Sequence, residues 1–406
     1  MKKILVIGAG SIGTLIGASL VKAGFEVTFV GRTQSSYTEH IKHFGLTLVY
    51  PSGEKYKITP DNPKVRFFDT AEKLAETFEI IFVAVKSNRL ASVASYIRNH
   101  SDKNSSIFHA QNGIPYWWFA NDDYVTSLTP KLKDKIGFRR YLNSVDPDGK
   151  ILTLLGDRCL LGCVLKAPCG KNSWGEIEVR KPPKMLFGFV GNKKDVFPRA
   201  DVARLCQLLS EGGLITTYTE KIRVEVCHKL AINLATNVLS ALTGCTIAKL
   251  TMNFYTNSII RTILAEIRDI FLVYGIEKAD LPSEAKVYAY ITQPGSQRHL
   301  PSLAQDFALR RLGEVNLITA PVEMAEIARI KTPTITSLAK LLQVGQTHAL
   351  DNSDGNFNIL TFDRDFGYCL LNDSVYHSRI LDRKSISELV NYLIQINLTV
   401  VEQNVA

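Results

Sequence analysis

The chain has 406 residues, 46% hydrophobic and 21% charged, with 48 basic against 39 acidic side chains and a net charge of +9. That length accommodates two domains with full cores, and no apolar run reaches the length of a membrane span; the basic residues form no dense patch with interleaved aromatics, which sets nucleic-acid binding aside. Seven cysteines occur without a Cys-x-x-Cys pair, and Cys159, Cys163 and Cys169, the closest group, have no interleaved histidine, so reduced buried thiols in a cytoplasm are expected and no metal site.

Met1-Lys2-Lys3 ahead of an apolar run superficially resembles a secretory signal, but Gly8, Gly10 and Gly13 and the lack of a small-residue cleavage site argue against one. Residues 3 to 7, Lys-Ile-Leu-Val-Ile, read as a buried parallel strand. They run into Gly8-Ala9-Gly10-Ser11-Ile12-Gly13, a match to G-x-G-x-x-G, and then into a helix from Thr14 to Ala23 closed by Gly24. In that context the glycines serve a tight turn, a bare backbone for a pyrophosphate, and close packing of helix on strand. A second strand, Glu26 to Val30, ends at Gly31-Arg32-Thr33-Gln34-Ser35-Ser36. No carboxylate stands there to accept from a ribose 2′-hydroxyl. Arg32 followed by small hydroxyl side chains suits a 2′-phosphate instead, so NADP(H) is expected over NAD(H).

A hairpin follows, Leu46 to Ile58 around Pro51-Ser52-Gly53, and then a third hydrophobic strand, Glu79 to Val85, ending at Lys86-Ser87-Asn88. Another strand, Ser106 to Ala110, ends at Gln111-Asn112-Gly113. Ligands of open parallel sheets bind beyond the carboxyl ends of strands, which puts Lys86 and Asn112 where the nicotinamide half of a cofactor belongs. From Tyr116 to Lys150 the chain is polar and irregular, with a turn at Ser144 to Gly149. Strand-like segments return at Cys159 to Leu165, Glu176 to Arg180 and Met185 to Val190, and a helix from Phe197 to Ser210 stops at Gly212-Gly213.

Beyond that point long helices are expected: Lys221 to Leu242, Asn257 to Tyr274, Ser302 to Ile318 and Val322 to Arg329. In the first, Lys229, Asn233 and Asn237 stand four apart among Leu230, Ala231, Leu234, Ala235 and Val238, so a regular helix would line one ammonium and two carboxamides on a narrow face. A polar stripe flanked by apolar residues looks into a cleft more readily than into bulk water. The expected division is a nucleotide domain over 1–217, a helical substrate domain over 218–350 and an extension of no assigned role over 351–406. In that extension Asp351 to Gly355 fails the pattern of a calcium loop, and Ser385-Ile386-Ser387-Glu388 is a capping box for a short helix to Ile396. The fold class is therefore α/β, an N-terminal Rossmann-type parallel sheet followed by an all-helical C-terminal half.

Gly8 to Gly13 with Arg32, the Gln111-Asn112-Gly113 turn, Lys229-Leu230 with Asn233 and Asn237 followed by Ser240-Ala241-Leu242-Thr243, and Pro301 to Asp306 with Glu314 together resemble the ketopantoate reductase (2-dehydropantoate 2-reductase) family. The resemblance covers the first 345 residues or so. It implies that Lys229 is the general acid, that Glu314 is the second catalytic group, and that Asn233, Asn237 and Ser302 hold the substrate; Asn112, beside the expected nicotinamide position, is read as a further donor to the substrate carboxylate, and Glu266 is treated as structural. The chain departs from the family at Val315-Asn316, where Ile-Asp is usual, and at Thr319-Ala320-Pro321, where Asn-Gly follows later. Those departures leave open a different 2-oxo acid, and a non-catalytic NADP(H)-sensing protein is the reading from another class. A small-molecule 2-oxo acid is the expected partner, with no nucleic acid and no membrane, and a homodimer among the expected assemblies.

Overall fold

The structure, a computed structural model, describes residues 3–72, 74–128, 132, 139–172, 175–191, 195–293, 300–308, 311–350, 359–363, 367–371 and 379–380. Described residues pack as two units, one drawn from Met1–Ile232, Ala265–Ser283 and Asn316–Pro333, the other from Asn233–Leu264, Glu284–Val315 and Thr334–Ala406.

Twelve strands belong to the first unit: β1 (Lys3–Ile7), β2 (Glu26–Gly31), β3 (Leu46–Val49), β4 (Lys55–Ile58), β5 (Val65–Asp69), β6 (Ile80–Val83), β7 (Ser106–His109), β8 (Cys159–Lys166), β9 (Cys169–Lys171), β10 (Ile177–Val179), β11 (Lys184–Phe189) and β12 (Ile215–Tyr218). Eight of them form one sheet in the order β12-β11-β8-β7-β6-β1-β2-β5. Every neighbouring pair is parallel except β8 with β11. Such strands are covered on both faces, which is why Ile4, Leu5, Val6 and Ile7 are all 0% exposed and the run has no polar alternation. The chain leaves β1 toward β2 on one side and returns at β6 on the other, so the strand order reverses between β1 and β6. A crevice beyond the carboxyl ends of those two strands is where open sheets of this kind take ligands.

The expected hairpin is β3 with β4, part of a separate sheet ordered β4-β3-β10-β9. Strand β5, Val-Arg-Phe-Phe-Asp, escaped the sequence reading because it lies at the sheet edge and mixes charged with apolar residues. The 116–150 segment is less irregular than its composition suggests: Tyr116, Trp117, Trp118 and Phe119 are buried. Its turn is held by the buried Asp146, whose carboxylate accepts from the amides of Ile151 and Leu152 at 2.7 and 2.9 Å.

Two expected helices differ in detail. The one anticipated over Lys221–Leu242 is α-helical over Ile222–Asn233, π-helical over Leu234–Val238 and α-helical again over Leu239–Thr243. The one anticipated over Ser302–Ile318 is two, Ser302–Ala308 and Asn316–Ala328. Between them Gly313 lies close against the first helix, where a Cβ would stand 2.5 Å from the Leu303 side chain and 2.9 Å from the Phe307 ring. Helix Asn316–Ala328 continues through Pro321, and Pro333–Leu350 opens on a proline, whose missing donor costs nothing in a first turn. In the extension, Ile359–Asp363, Gly367–Leu371 and Arg379–Ile380 pair as an antiparallel sheet. The turn at Asp351–Gly355 and the capping-box helix at 385–396 lie outside the described residues. Among the described residues no helix is long and apolar enough to cross a membrane, and no group of three or more His, Cys, Asp or Glu could hold a metal.

Candidate active site

The glycine turn after β1 is built by contact distances. Gly8 has φ +98°, and a Cβ there would stand 2.8 Å from the Val85 amide at the end of β6. A Cβ on Gly13 would fall 1.8 Å from the Gly8 carbonyl, so helix Ser11–Lys22 can approach β1 only without one. Gly10 is different: nothing lies within 4 Å of its would-be Cβ. No side chain caps this helix, which leaves its first-turn amides for an anion at a position open to one. Ser11 and Ile12 are half-buried at that opening. These features fit the pyrophosphate of a dinucleotide.

Beyond β2, Arg32 is exposed. Its neighbour Thr33 turns its hydroxyl toward the next strand, donating to Asp69 Oδ1 at 3.0 Å and meeting the Thr70 hydroxyl at 3.0 Å. At the ends of β6 and β7 the chain forms two adjoining turns. Gln111 ties them by donating to the carbonyls of Val83 and Val85 at 2.9 and 3.2 Å. In the first turn Lys86 is exposed while Ser87 is buried and donates to Asn316 Oδ1 at 2.8 Å. In the second, Lys229 Nζ donates to Asn112 Oδ1 at 2.6 Å. The structure thus brings together Lys229 and Asn112 of the expected site residues.

Small residues set the helix that carries Lys229. Ile222, its first residue, sits against Gly162 of β8 and Gly188 of β11, where a Cβ would come within 3.0 Å of Ile222 atoms. Arg223 then donates from Nε and Nη2 to the Trp118 carbonyl at 3.2 and 3.1 Å, tying the helix to the segment that follows the Asn112 turn. Burial draws the Arg223 guanidinium down to about 10. Cys169, the first residue of β9, feels the charge of Lys229 and that of Arg180, which follows β10: burial pushes the Cys169 thiol up to about 11, while the two charges pull against that rise. His109, which closes β7, is fully buried with Nε2 2.8 Å from the Tyr116 hydroxyl. Glu266 is also buried.

The remaining expected residues belong to the second unit. Asn233 is half-buried at the last α-helical position, and Asn237 lies inside the π-turn, 7% exposed, accepting from the Thr236 hydroxyl at 3.1 Å. A π-turn adds a residue to the ring, so Asn237 does not continue the regular four-residue stripe. Ser302 is exposed at the start of its helix, and Glu314 is buried, 7% exposed, in the non-helical stretch before Asn316. In the first unit, two residues that hold these turns and the Lys229 helix were given no role from the sequence, Ser87 and Arg223, while Gln111 and Asn316 were quoted there only as parts of longer motifs. Ser87 adjoins the candidate Lys86, which is the one signal it carried; Arg223 carried none.

Residues 4–116 match the family described as ketopantoate reductase PanE/ApbA, and residues 221–346 match ketopantoate reductase PanE/ApbA C terminal. The two matches together cover more than half of the chain. This chain belongs to the ketopantoate reductase family. A 2-dehydropantoate 2-reductase of Mesorhizobium japonicum is 27% identical over 344 residues, covering 84% of this chain and 97% of that protein. Among solved structures, a PanE/ApbA family ketopantoate reductase from Ralstonia eutropha JMP134 superposes with a TM-score of 0.66 at 19% identity, covering 86% of this chain and 100% of the other. A D-mandelate dehydrogenase, solved with NADH and anilino(oxo)acetate, reaches 0.67 at 19% identity, over 86% of this chain and 99% of its own. The fold is accordingly the ketopantoate reductase fold, a Rossmann-type α/β domain and a helical C-terminal domain, and the family is one of oxidoreductases acting on a small keto acid.

Proposed function

We propose that this chain reduces 2-dehydropantoate to pantoate with NADPH, with Lys229 as the general acid. The observation that carries the reading is the 2.6 Å bond from Lys229 Nζ to Asn112, which holds an ammonium at the turn beyond β7, beside the strand ends that border the glycine turn. Bound nicotinamide supplies the hydride. As the ketone carbon takes it up, negative charge grows on oxygen, and the Lys229 ammonium first polarises that oxygen and then gives it a proton. Asn112 keeps Lys229 aimed at the site, and Gln111 keeps the Asn112 turn joined to the end of β6. Asn233, Asn237 and Ser302 hold the substrate in this reading, and Glu314 is the second catalytic group.

Arg32 is what favours the 2′-phosphate, with Gly8, Gly10, Ser11, Ile12, Gly13, Lys86 and Asn112 completing the coenzyme set. The domain division we adopt is 1–217 for coenzyme, 218–350 for substrate and 351–406 as an extension. The assembly we propose is a homodimer, and the compartment the cytoplasm; a ketopantoate reductase from Staphylococcus aureus that shares the fold is dimeric. A second reading, reduction of a bulkier 2-oxo acid, is favoured by Val315-Asn316 and by Pro321, where the chain leaves the family pattern.

The test is loss of NADPH absorbance with 2-dehydropantoate and then with a panel of other 2-oxo acids that includes an aryl one. Turnover of 2-dehydropantoate with the highest kcat/KM supports the first reading, and a faster aryl or branched substrate moves the second ahead. Bound NADPH with no substrate turned over would instead favour a coenzyme sensor.

A further inference from the structure

At the end of β2 the coenzyme-side charges are not limited to Arg32. Strand β5 runs parallel to β2 with Gly31 opposite Asp69, so the last residue of β5 stands beside the residue that precedes Arg32. Asp69 is buried, 8% exposed, and receives the Thr33 hydroxyl, the Ala71 amide at 2.8 Å and, on its other oxygen, Lys42 Nζ at 2.8 Å. The same Nζ lies 2.9 Å from Glu72 and 3.6 Å from Glu39. Glu72 in turn accepts from the Asp69 amide at 2.6 Å. Three carboxylates therefore converge on a single ammonium next to Arg32, which has no carboxylate partner among the described residues.

We propose that Lys42 is a coenzyme-selectivity residue: by neutralising Asp69 and Glu72 it leaves the field at the end of β2 to Arg32, and so favours the coenzyme that carries a 2′-phosphate. The inference rests on the NADPH reading above. Without Lys42, the Asp69 charge would stand next to the position that has to accept a dianionic phosphate, whereas a bare 2′-hydroxyl would be indifferent to it or would gain an acceptor. The hydrogen bond to Asp69, followed by that to Glu72, holds the Lys42 ammonium well above the ordinary lysine range, and the Lys42 bond holds Asp69 below the ordinary carboxylate range, as an intact charge pair requires. Lys42 acts through Asp69 and not by touching the reacting atoms, so it is a positioning residue.

The experiment measures kcat/KM with NADPH and with NADH for wild type, K42M, K42R, D69N and K42M/D69N. One uncompensated charge near a phosphate dianion at surface dielectric amounts to roughly a three- to tenfold effect on binding. K42M is expected to lower the NADPH/NADH ratio by about that factor, K42R to keep the wild-type ratio, D69N to raise it, and D69N placed on K42M to restore it. A merely structural pin on helix Ser36–Phe44 would move both coenzymes together and leave the ratio still, which would overturn the proposal. Should wild type itself prefer NADH, the Arg32 reading falls, yet these variants still have to shift the ratio in the stated directions. If K42M does not fold, D69N alone decides: a ratio equal to that of wild type contradicts the proposal.

Discussion

His109 is where a single residue couples stability to pH. Burial lowers its pKa to about 3, so the folded chain keeps it neutral with Nε2 on Tyr116. An unfolded histidine takes up its proton near pH ~6.5. Because the folded value is the lower one, the unfolded chain holds more protons between those limits; the stabilisation is complete above the unfolded value and is lost as pH falls toward the folded one. The slope from this one group reaches about 1.4 kcal/mol per pH unit. Urea midpoints at pH 7 and pH 5 should therefore lie closer together in His109→Gln than in wild type, and equal separations would show that His109 is not the source. Arg32 makes a separate, coenzyme-only prediction. A charge-assisted contact is worth about 1.5–3 kcal/mol, so Arg32→Ala should raise the Kd for NADPH roughly ten- to a hundredfold, measured by fluorescence titration. An unchanged Kd would remove Arg32 from the site.

At the scale of elements, the turn between β1 and helix Ser11–Lys22 separates packing from binding within one motif. Gly13 has a carbonyl where a Cβ would go, and Gly10 has open space. Gly13→Ala should lower Tm with or without coenzyme, since backbone has to move. Gly10→Ala should leave the apo Tm close to wild type but diminish the rise in Tm that NADPH produces. Similar behaviour of the two variants would contradict this division of roles. The motif was legible in the sequence because its constraints are local: strand, turn and helix follow within a dozen residues. Less local facts were hidden. Nothing in the sequence tells Lys229 that its partner is Asn112, 117 positions away, or Ser87 that its partner is Asn316, 229 positions away. The π-turn at Leu234–Val238 was hidden too, because a four-residue spacing reads as regular helix until packing inserts a residue. Likewise Gly313 reads as a tolerated helix glycine, and only its closeness to Leu303 and Phe307 shows that a side chain would not fit there.

Over the whole molecule, a net charge of +9 favours anionic ligands without choosing among them. If Arg32 and the helix N-terminus take phosphate groups, KM for NADPH should rise with ionic strength, and more steeply than KM for NADH, since exposed charges are screened over ~8 Å at physiological salt. Parallel salt curves would count against a dedicated 2′-phosphate contact. The central claim is that one ammonium, carried by helix Ile222–Asn233 and held by Asn112, protonates the oxygen of a reduced keto acid. Single-turnover oxidation of bound NADPH by 2-dehydropantoate, comparing wild type with Lys229→Ala, tests it most directly. The variant should bind NADPH as wild type does and transfer hydride about 10²–10⁴ times more slowly. Hydride transfer at the wild-type rate in Lys229→Ala would contradict the account.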